Sequence, residues 1–256
     1  MCWDFDTHPI EQRCSHCAPT RGLSIRCDNR EVDLHALVQT VAIYALPVIF
    51  AITLHEAAHG YVAHLRGDNT AWMMGRVTLN PISHIDPMGT LVLPAVLYVV
   101  TAGHFLFGFA RPVPVRFGNL HNPKRDMIWV ALAGPGINLV QAVLWYLALY
   151  VLIGFGVEER FFIEMCKAGI LANVVMFALN LFPLPPLDGG RILVGLLPWK
   201  QAVWLSRVEP WGFYIVMALV VFGIVDRWWM MPLMGLTIES LRWLLTPFEF
   251  LLKSSL

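Results

Sequence analysis

Long apolar segments separated by short polar stretches run along most of the chain. Six of these segments approach the ~20 residues that a membrane-spanning helix needs, and they cover residues 34–64, 88–110, 127–155, 161–182, 211–225 and 228–245. Tryptophan and tyrosine recur near their ends, which is typical of anchors at the membrane–water interface. The pattern predicts an all-α polytopic membrane protein with about five or six transmembrane helices.

Two polar connections carry a different pattern. Residues 75–81 alternate apolar and polar side chains before a turn, and residues 111–116 are kept extended by Pro112 and Pro114. The two segments are able to pair as a small β-hairpin or sheet, whose exposed edge would hold an extended peptide. Two ordinary loops account for the same residues equally well.

Composition agrees with a membrane location. The chain is 57% hydrophobic and 14% charged, whereas about 25% charged residues would be ordinary for a soluble domain. Because 18 Lys and Arg balance 18 Asp and Glu, no nucleic-acid partner is expected.

The first 33 residues differ from the rest. They are polar and lack the apolar core of a signal peptide, so we expect a poorly ordered N-terminal extension before a membrane-embedded domain at 34–256. Cys14 and Cys17 have C-x-x-C spacing, but without a second such pair free thiols are favoured over a metal site.

The first apolar run contains the sequence His55-Glu56-Ala57-Ala58-His59, an H-E-x-x-H motif. Ionisable side chains in such a run cost roughly 2.5 to 3.5 kcal/mol each on insertion scales, so a function is expected for them. On a helix, His55 and His59 share a face and can bind one Zn²⁺, while Glu56 can reach a water beside it. The motif predicts hydrolysis inside a membrane, with a water path to the site. Histidines of a chance motif would more often lie on a solvated helix.

A metallopeptidase zinc needs a third protein ligand. The best candidate is Asp188, which ends an apolar segment interrupted by three prolines. Irregular backbone at membrane depth is tolerated where it is buried in protein or lines a cavity. Alternatively, Asp188 caps a helix that begins near Arg191. Four other candidates have no ligand spacing to the motif and are expected in interfacial or hydrogen-bonding roles: His64, His84, His104 and Asp86.

Several separated motifs together resemble the site-2 protease family of intramembrane zinc metallopeptidases, peptidase family M50. The matching stretches are H-E-x-x-H at 55–59, A-G-P-x-x-N at 133–138 and N-x-x-P-x-P-x-x-D-G at 180–189. The similarity extends from about residue 37 to 245 and is closest to a compact prokaryotic subgroup that lacks a PDZ domain.

The resemblance implies a role for each motif residue. His55, His59 and Asp188 bind one Zn²⁺, and Glu56 is the general base for the attacking water and then the proton donor to the leaving amine.

Two asparagines complete the predicted site. The resemblance implies that Asn180 contacts the substrate or the developing oxyanion, although its amide is equally able to satisfy backbone groups freed by Pro183. Asn138 follows Gly134 and Gly136 near the start of a membrane helix, and we expect it to hydrogen-bond across a close helix interface in a structural role.

The segment 88–110 decides the topology. If it crosses the membrane, the helices that carry His55 and Asp188 run antiparallel. The resemblance implies parallel helices, which requires 88–110 to be re-entrant or otherwise not to cross. The orientation of the termini therefore stays open.

The apolar pattern predicts an integral, multi-pass membrane protein, and the resemblance implies a prokaryotic cell (inner) membrane as its location. Its expected activity is zinc-dependent hydrolysis of peptide bonds in or near transmembrane segments of membrane-protein substrates. The alternative is a non-catalytic relative that binds or chaperones membrane proteins. A metal transporter would need polar residues spread along a path through several helices, and here they concentrate near one depth.

Overall fold

The computed structural model describes residues 34–92, 96 and 111–254, so the N-terminal extension at 1–33 lies outside the described residues. The described part contains α-helices, short 3₁₀ and π-helical turns, and no strand. Its eight α-helices are α1 (Leu34–Leu65), α2 (Thr70–Met73), α3 (Pro123–Gly154), α4 (Arg160–Asn180), α5 (Asp188–Leu196), α6 (Trp199–Ser206), α7 (Glu209–Val221) and α8 (Met231–Ser254).

Three helices of the described part are long and apolar enough to cross a membrane: Val38–Leu65 within α1, α3 and α4. A fourth crossing requires α7 and the segment Asp226–Phe248, which are bent by 84°, to form one broken span. With 13 residues, α7 alone is about 20 Å long and falls short of a ~30 Å hydrocarbon core. The prediction of five or six spanning helices is therefore wrong for the described residues. Most of 88–110 lies outside them.

The predicted β-hairpin is also wrong, since the described residues contain no strand. The guanidinium of Arg76 donates hydrogen bonds to the carbonyl oxygens of Arg111 (2.9 Å) and Pro112 (3.4 Å), so the two segments do lie side by side. Residues 111–116 contain two prolines, which have no N–H to donate to a strand ladder. The carbonyl groups of Arg111 and Pro112 are therefore bonded by the Arg76 side chain and not by the backbone of a neighbouring strand.

Helices α1, α3 and α4 pack against one another at the centre of the molecule, and α5 packs along α3. In a bilayer, such packing depends on close van der Waals contact and interhelical hydrogen bonds more than on removal of apolar surface from water. One buried apolar cluster joins α3, α4 and α8 and contains Ala142, Leu149, Cys166, Ile170, Val174 and Leu241. The candidate site is built on the packed helices α1, α3 and α4.

The chain between α4 and α5 is irregular because three prolines fall within residues 181–187. Proline lacks an N–H and clashes with the preceding turn of a helix, so α4 ends at Asn180 and a new helix begins at Asp188. This break carries the Asp188 carboxylate to α1.

Candidate active site

Side chains from α1 and α5 meet in a buried triangle of three atoms. The Nε2 atoms of His55 and His59 are 3.0 Å apart, and they lie 3.3 Å and 3.2 Å from Oδ2 of Asp188. His55 is 4% exposed and Asp188 is 6% exposed. Within the described part of the chain, this is the one group of three or more His, Cys, Asp or Glu side chains that could hold a metal ion.

Each histidine is hydrogen-bonded on the side that faces away from the triangle. Nδ1 of His55 lies 2.6 Å from Oδ1 of Asn138, and Nδ1 of His59 lies 2.7 Å from the carbonyl oxygen of Val130. Because both partners are oxygen acceptors, each Nδ1 carries a proton, which leaves Nε2 as the nitrogen of each ring that can bind a metal ion.

Three atoms that can serve as metal ligands therefore lie within 3.3 Å of one another, and Oδ2 of Asp188 is buried with no hydrogen-bond partner among the described residues. The separations of 3.0 to 3.3 Å fit a tetrahedral zinc site, since Zn–N and Zn–O bonds of about 2.0–2.1 Å give edges of about 3.3 Å. The residues present fit Zn²⁺.

Asp188 does not serve as the helix cap that the sequence allows. The N-cap of α5 is Leu187, without a side-chain cap bond, and Asp188 is the first residue of the helix. Its carboxylate lies against both histidines and not against the backbone N–H groups of α5. A negative charge in the first turn is also favourable for the helix dipole.

The backbone of α3 lies directly against the two imidazoles at Gly134. A Cβ atom added there would collide with Nε2 of His59 and lie 2.6 Å from Cε1 of His55. Only glycine allows this approach. Gly134 lies well inside α3, and not near the beginning of a helix as the sequence suggested.

Glu56 lies beside the triangle and contacts the segment 111–116, which we call the strap. Its Oε2 accepts a hydrogen bond of 2.8 Å from the N–H of Val113. Val113 is buried, and its side chain packs near Gly60 on α1, where an added Cβ would lie 3.0 Å from Val113 Cγ1. The strap therefore forms the wall of the site opposite the metal-binding triangle.

The far end of the strap is anchored by Asp68, which is fully buried. Its carboxylate accepts hydrogen bonds from the N–H of Arg116 (2.6 Å), the N–H of Thr70 (3.0 Å) and Nδ2 of Asn119 (3.1 Å). Burial raises the pKa of the Asp68 carboxyl, but the hydrogen bonds from Thr70, Arg116 and Asn119 outweigh it and lower that pKa below its usual value.

A cavity of about 430 Å³ lies between the triangle and the strap. Glu56, Asn180 and Arg191 line it together with apolar side chains of the strap. Arg191 is the one Lys or Arg among the lining residues, and its guanidinium carbon lies 5.5 Å from the centre of the Phe117 ring. The cavity thus combines acceptor groups, a cation and an apolar wall.

Asn180 faces this cavity from the last residue of α4. Its Nδ2 donates a 2.9 Å hydrogen bond to the carbonyl oxygen of Met176, one turn earlier in the same helix. The second hydrogen of Nδ2 and the amide oxygen are left for the predicted contact with substrate or oxyanion, which stays a prediction.

Three of the four competing metal candidates lie away from the triangle. His64 stacks on an indole ring, Nε2 of His84 bonds a backbone carbonyl, and Asp86 accepts hydrogen bonds from backbone N–H groups. His104 lies outside the described residues.

Sequence reasoning missed several residues that shape the site: Asp68, Arg76, Asn173 and Arg191. Asp68 bonds the strap across 48 residues of chain, so no local motif could indicate it. Arg191 follows Asp188 by one helical turn, and that spacing was the one available signal.

The chain is similar to one protein-family model and to known bacterial proteins. Residues 157–223 match the family model of Peptidase family M50. The candidate zinc metalloprotease YwhC of Bacillus subtilis (strain 168) is 37% identical over 185 residues, which are 69% of this chain and 78% of that protein. The candidate zinc metalloprotease Rip2 of Mycolicibacterium smegmatis is 33% identical over 182 residues, 70% of this chain and 67% of that protein. No solved structure matches the chain.

Proposed function

Because this chain belongs to peptidase family M50, the site-2 protease family of zinc metallopeptidases, we propose that it is an intramembrane endopeptidase. Its substrates are membrane proteins, which it cuts in or near a transmembrane segment. It acts as a multi-pass protein of a prokaryotic cell membrane. The observation that carries the proposal is the buried triangle of His55, His59 and Asp188, whose two histidines lie on a helix long and apolar enough to span a membrane.

In this proposal His55, His59 and Asp188 hold the Zn²⁺ cofactor. The three atoms lie at separations that would suit Zn²⁺, and all three residues line the cavity. When bound, Zn²⁺ supplies Lewis-acid chemistry, because it polarises a carbonyl oxygen and lowers the pKa of a neighbouring water toward 7.

Glu56 is the proposed general base and acid. One carboxylate oxygen is held by the N–H of Val113, so the side chain is oriented while the other oxygen remains able to accept a proton. Glu56 takes the proton of the attacking water and then donates it to the nitrogen of the leaving amine. Positioned proton transfer of this kind contributes about 10²–10⁴-fold to a rate.

The depth of the site supports cleavage inside the bilayer. His55 lies ten residues before the end of α1 at Leu65, which is about 15 Å of helix. That distance is half of a ~30 Å hydrocarbon core, so water must reach the site through the protein. The cavity of about 430 Å³ beside the triangle provides room for water and for an unwound peptide.

A substrate helix must open before it can be cut. Its peptide carbonyls are bonded within the helix, and in lipid no water replaces those bonds. The strap is itself extended and presents the apolar side chains of Val113 and Val115 to the cavity. We propose that an unwound stretch of substrate lies between this apolar wall and the metal-binding triangle, and that glycine or proline near the scissile bond aids cleavage.

Cleavage of a reporter transmembrane protein by the purified chain tests the function, with the cut site read by mass spectrometry. We expect wild type to cut within or beside the transmembrane segment. Glu56→Gln should lower the rate by about 10²–10⁴-fold while zinc content stays at the wild-type level. Glu164→Gln, a partly exposed glutamate of α4 paired with Lys167, is the matched control and should cut like wild type.

Two results would contradict the proposal. Full cleavage by Glu56→Gln would remove the assigned base, and cuts confined to soluble loops of the reporter would remove the intramembrane assignment. Stoichiometric zinc with no cleavage of any reporter would favour the alternative, a non-catalytic member that binds membrane segments.

A further inference from the structure

A chain of buried amides joins the three central helices and ends at His55. Asn138 on α3 and Asn173 on α4 are both fully buried, and Nδ2 of Asn138 donates a 2.9 Å hydrogen bond to Oδ1 of Asn173. Oδ1 of Asn138 in turn lies 2.6 Å from Nδ1 of His55 on α1. Two side chains from different spanning helices therefore stand behind one histidine of the triangle.

Two backbone carbonyls set the direction of every bond in this chain. Nδ2 of Asn173 donates to the carbonyl oxygen of Gly169 (2.9 Å), which leaves Oδ1 of Asn173 as an acceptor. The second hydrogen on Nδ2 of Asn138 goes to the carbonyl oxygen of Ala51 (3.1 Å). A rotated amide would place oxygen against oxygen, so Oδ1 of Asn138 must face His55.

We infer that Asn138, oriented by Asn173, is a positioning residue that holds His55 with its proton on Nδ1 and its Nε2 lone pair toward the metal. The inference rests on the proposed function, because it takes His55 as a metal ligand. The outer nitrogen of a metal-binding histidine commonly donates to an oxygen in this way, which fixes the tautomer and the ring orientation.

The two histidines differ in how they are held. The outer partner of His59 is the backbone carbonyl of Val130, which no substitution removes. The outer partner of His55 is the Asn138 side chain, which can be changed. Asn173 touches Asn138 and not His55, so it acts only through its neighbour, and its loss should have the smaller effect.

Zinc affinity of the full-length purified protein, measured by competition with a chelator of known affinity, tests the inference without any cleavage assay. We expect Asn138→Ala to bind zinc about 10–100-fold more weakly than wild type, and Asn173→Ala to lie between the two. Asn138→Asp keeps an oxygen that accepts from His55 Nδ1, but its second oxygen would face the carbonyl oxygen of Ala51 and Oδ1 of Asn173, so it should recover only part of the lost affinity.

The matched control is Gln141→Ala. Gln141 is a buried amide three residues further along α3, and its Nε2 has no hydrogen-bond partner among the described residues. Its replacement should leave zinc affinity within about twofold of wild type, well under the effect expected of a residue that orients a ligand.

Three outcomes would overturn the inference. The first is wild-type zinc affinity in folded Asn138→Ala, and the second is equal loss in the Gln141 and Asn138 variants. If Asn138→Ala does not fold, wild-type zinc affinity in folded Asn173→Ala is the third. A folded wild type that binds no zinc would overturn the proposed function as well. Failure of the proposed function is therefore seen in wild type, whereas failure of the inference alone is seen only in the variants.

Discussion

The two walls of the cavity are built in opposite ways. The metal-binding wall consists of side chains on α-helices, and its members His55, Asn138 and Asn173 are at most 4% exposed. The strap wall has no regular structure, and it is held by backbone N–H groups that donate to the carboxylates of Glu56 and Asp68.

In the proposed function, this difference separates two tasks. Metal binding needs atoms fixed to within a fraction of an ångström, and interlocking helices with satisfied amides provide that. Substrate binding needs a wall that can adapt to an unwound peptide, and an irregular segment has fewer bonds to break when it moves. Substitutions in the metal-binding wall should change zinc affinity and kcat. Substitutions in the strap wall should change KM and leave zinc content unchanged.

The largest effect is expected at Gly134. Alanine is the better helix former by about 1 kcal/mol, yet its Cβ would displace His55 and His59, so Gly134→Ala should weaken zinc binding by at least about 100-fold. The control is Gly136→Ala in the same helix, where an added Cβ meets nothing within 4 Å. Metal analysis after dialysis against a chelator separates the two, and equal zinc retention would contradict the proposed geometry.

A smaller and different effect is expected at Asp68. In Asp68→Asn, an NH₂ group replaces one acceptor oxygen, so a bond from Arg116, Thr70 or Asn119 is lost at about 1–3 kcal/mol. Reporter kinetics should show a raised KM with unchanged zinc content. Asp126→Asn is the control, because Asp126 is equally buried but bonds Arg66 and Asn122 outside the strap. A fall in zinc content in Asp68→Asn would contradict the assignment of substrate binding and metal binding to different walls.

The pKa of Asp68 gives a further expectation for stability. Because its folded-state pKa is lower than the unfolded value of about 3.9, the ionised carboxylate stabilises the folded state above about pH 4. That contribution is lost as the pH falls through the folded-state pKa. Thermal unfolding of the zinc-free protein should therefore show a gap between wild type and Asp68→Asn at pH 7 that narrows in acid. A gap independent of pH would contradict the assignment.

The smallest effect is expected at Arg76. Its Nη2 alone donates to two carbonyl groups at the start of the strap, and a lysine ammonium on its shorter, more flexible stem is less well oriented to bond both. Arg76→Lys should raise KM by about fivefold or less, which corresponds to about 1 kcal/mol, with kcat unchanged. A drop in kcat alone would argue that the strap acts on the chemistry and not on substrate binding.

The metal-binding wall could be anticipated because its signals are local. The spacing of His55 and His59 on one helix face and the proline-broken segment before Asp188 can be read along the chain, and the structure brings these residues together. The three long apolar runs that became α1, α3 and α4 were also predicted, because hydropathy over ~20 residues is a strong signal.

The strap wall could not be anticipated in the same way. Alternation in residues 75–81 suggested a strand, but the backbone groups of 111–116 are bonded by Arg76, Glu56 and Asp68, which no periodicity relates to them. The predicted number of spanning helices was wrong for another reason. Two apolar runs near the C-terminus are joined by a sharp bend of 84°, and hydropathy does not register a bend.

Zinc K-edge X-ray absorption on the purified full chain tests most directly whether His55, His59 and Asp188 hold the metal. The account predicts one zinc per chain with nitrogen and oxygen ligands at about 2.0–2.1 Å, including imidazole, and loss of bound zinc in Asp188→Ala. A shell containing sulfur at about 2.3 Å, as Cys14 and Cys17 would supply, or a folded wild type without zinc, would contradict it.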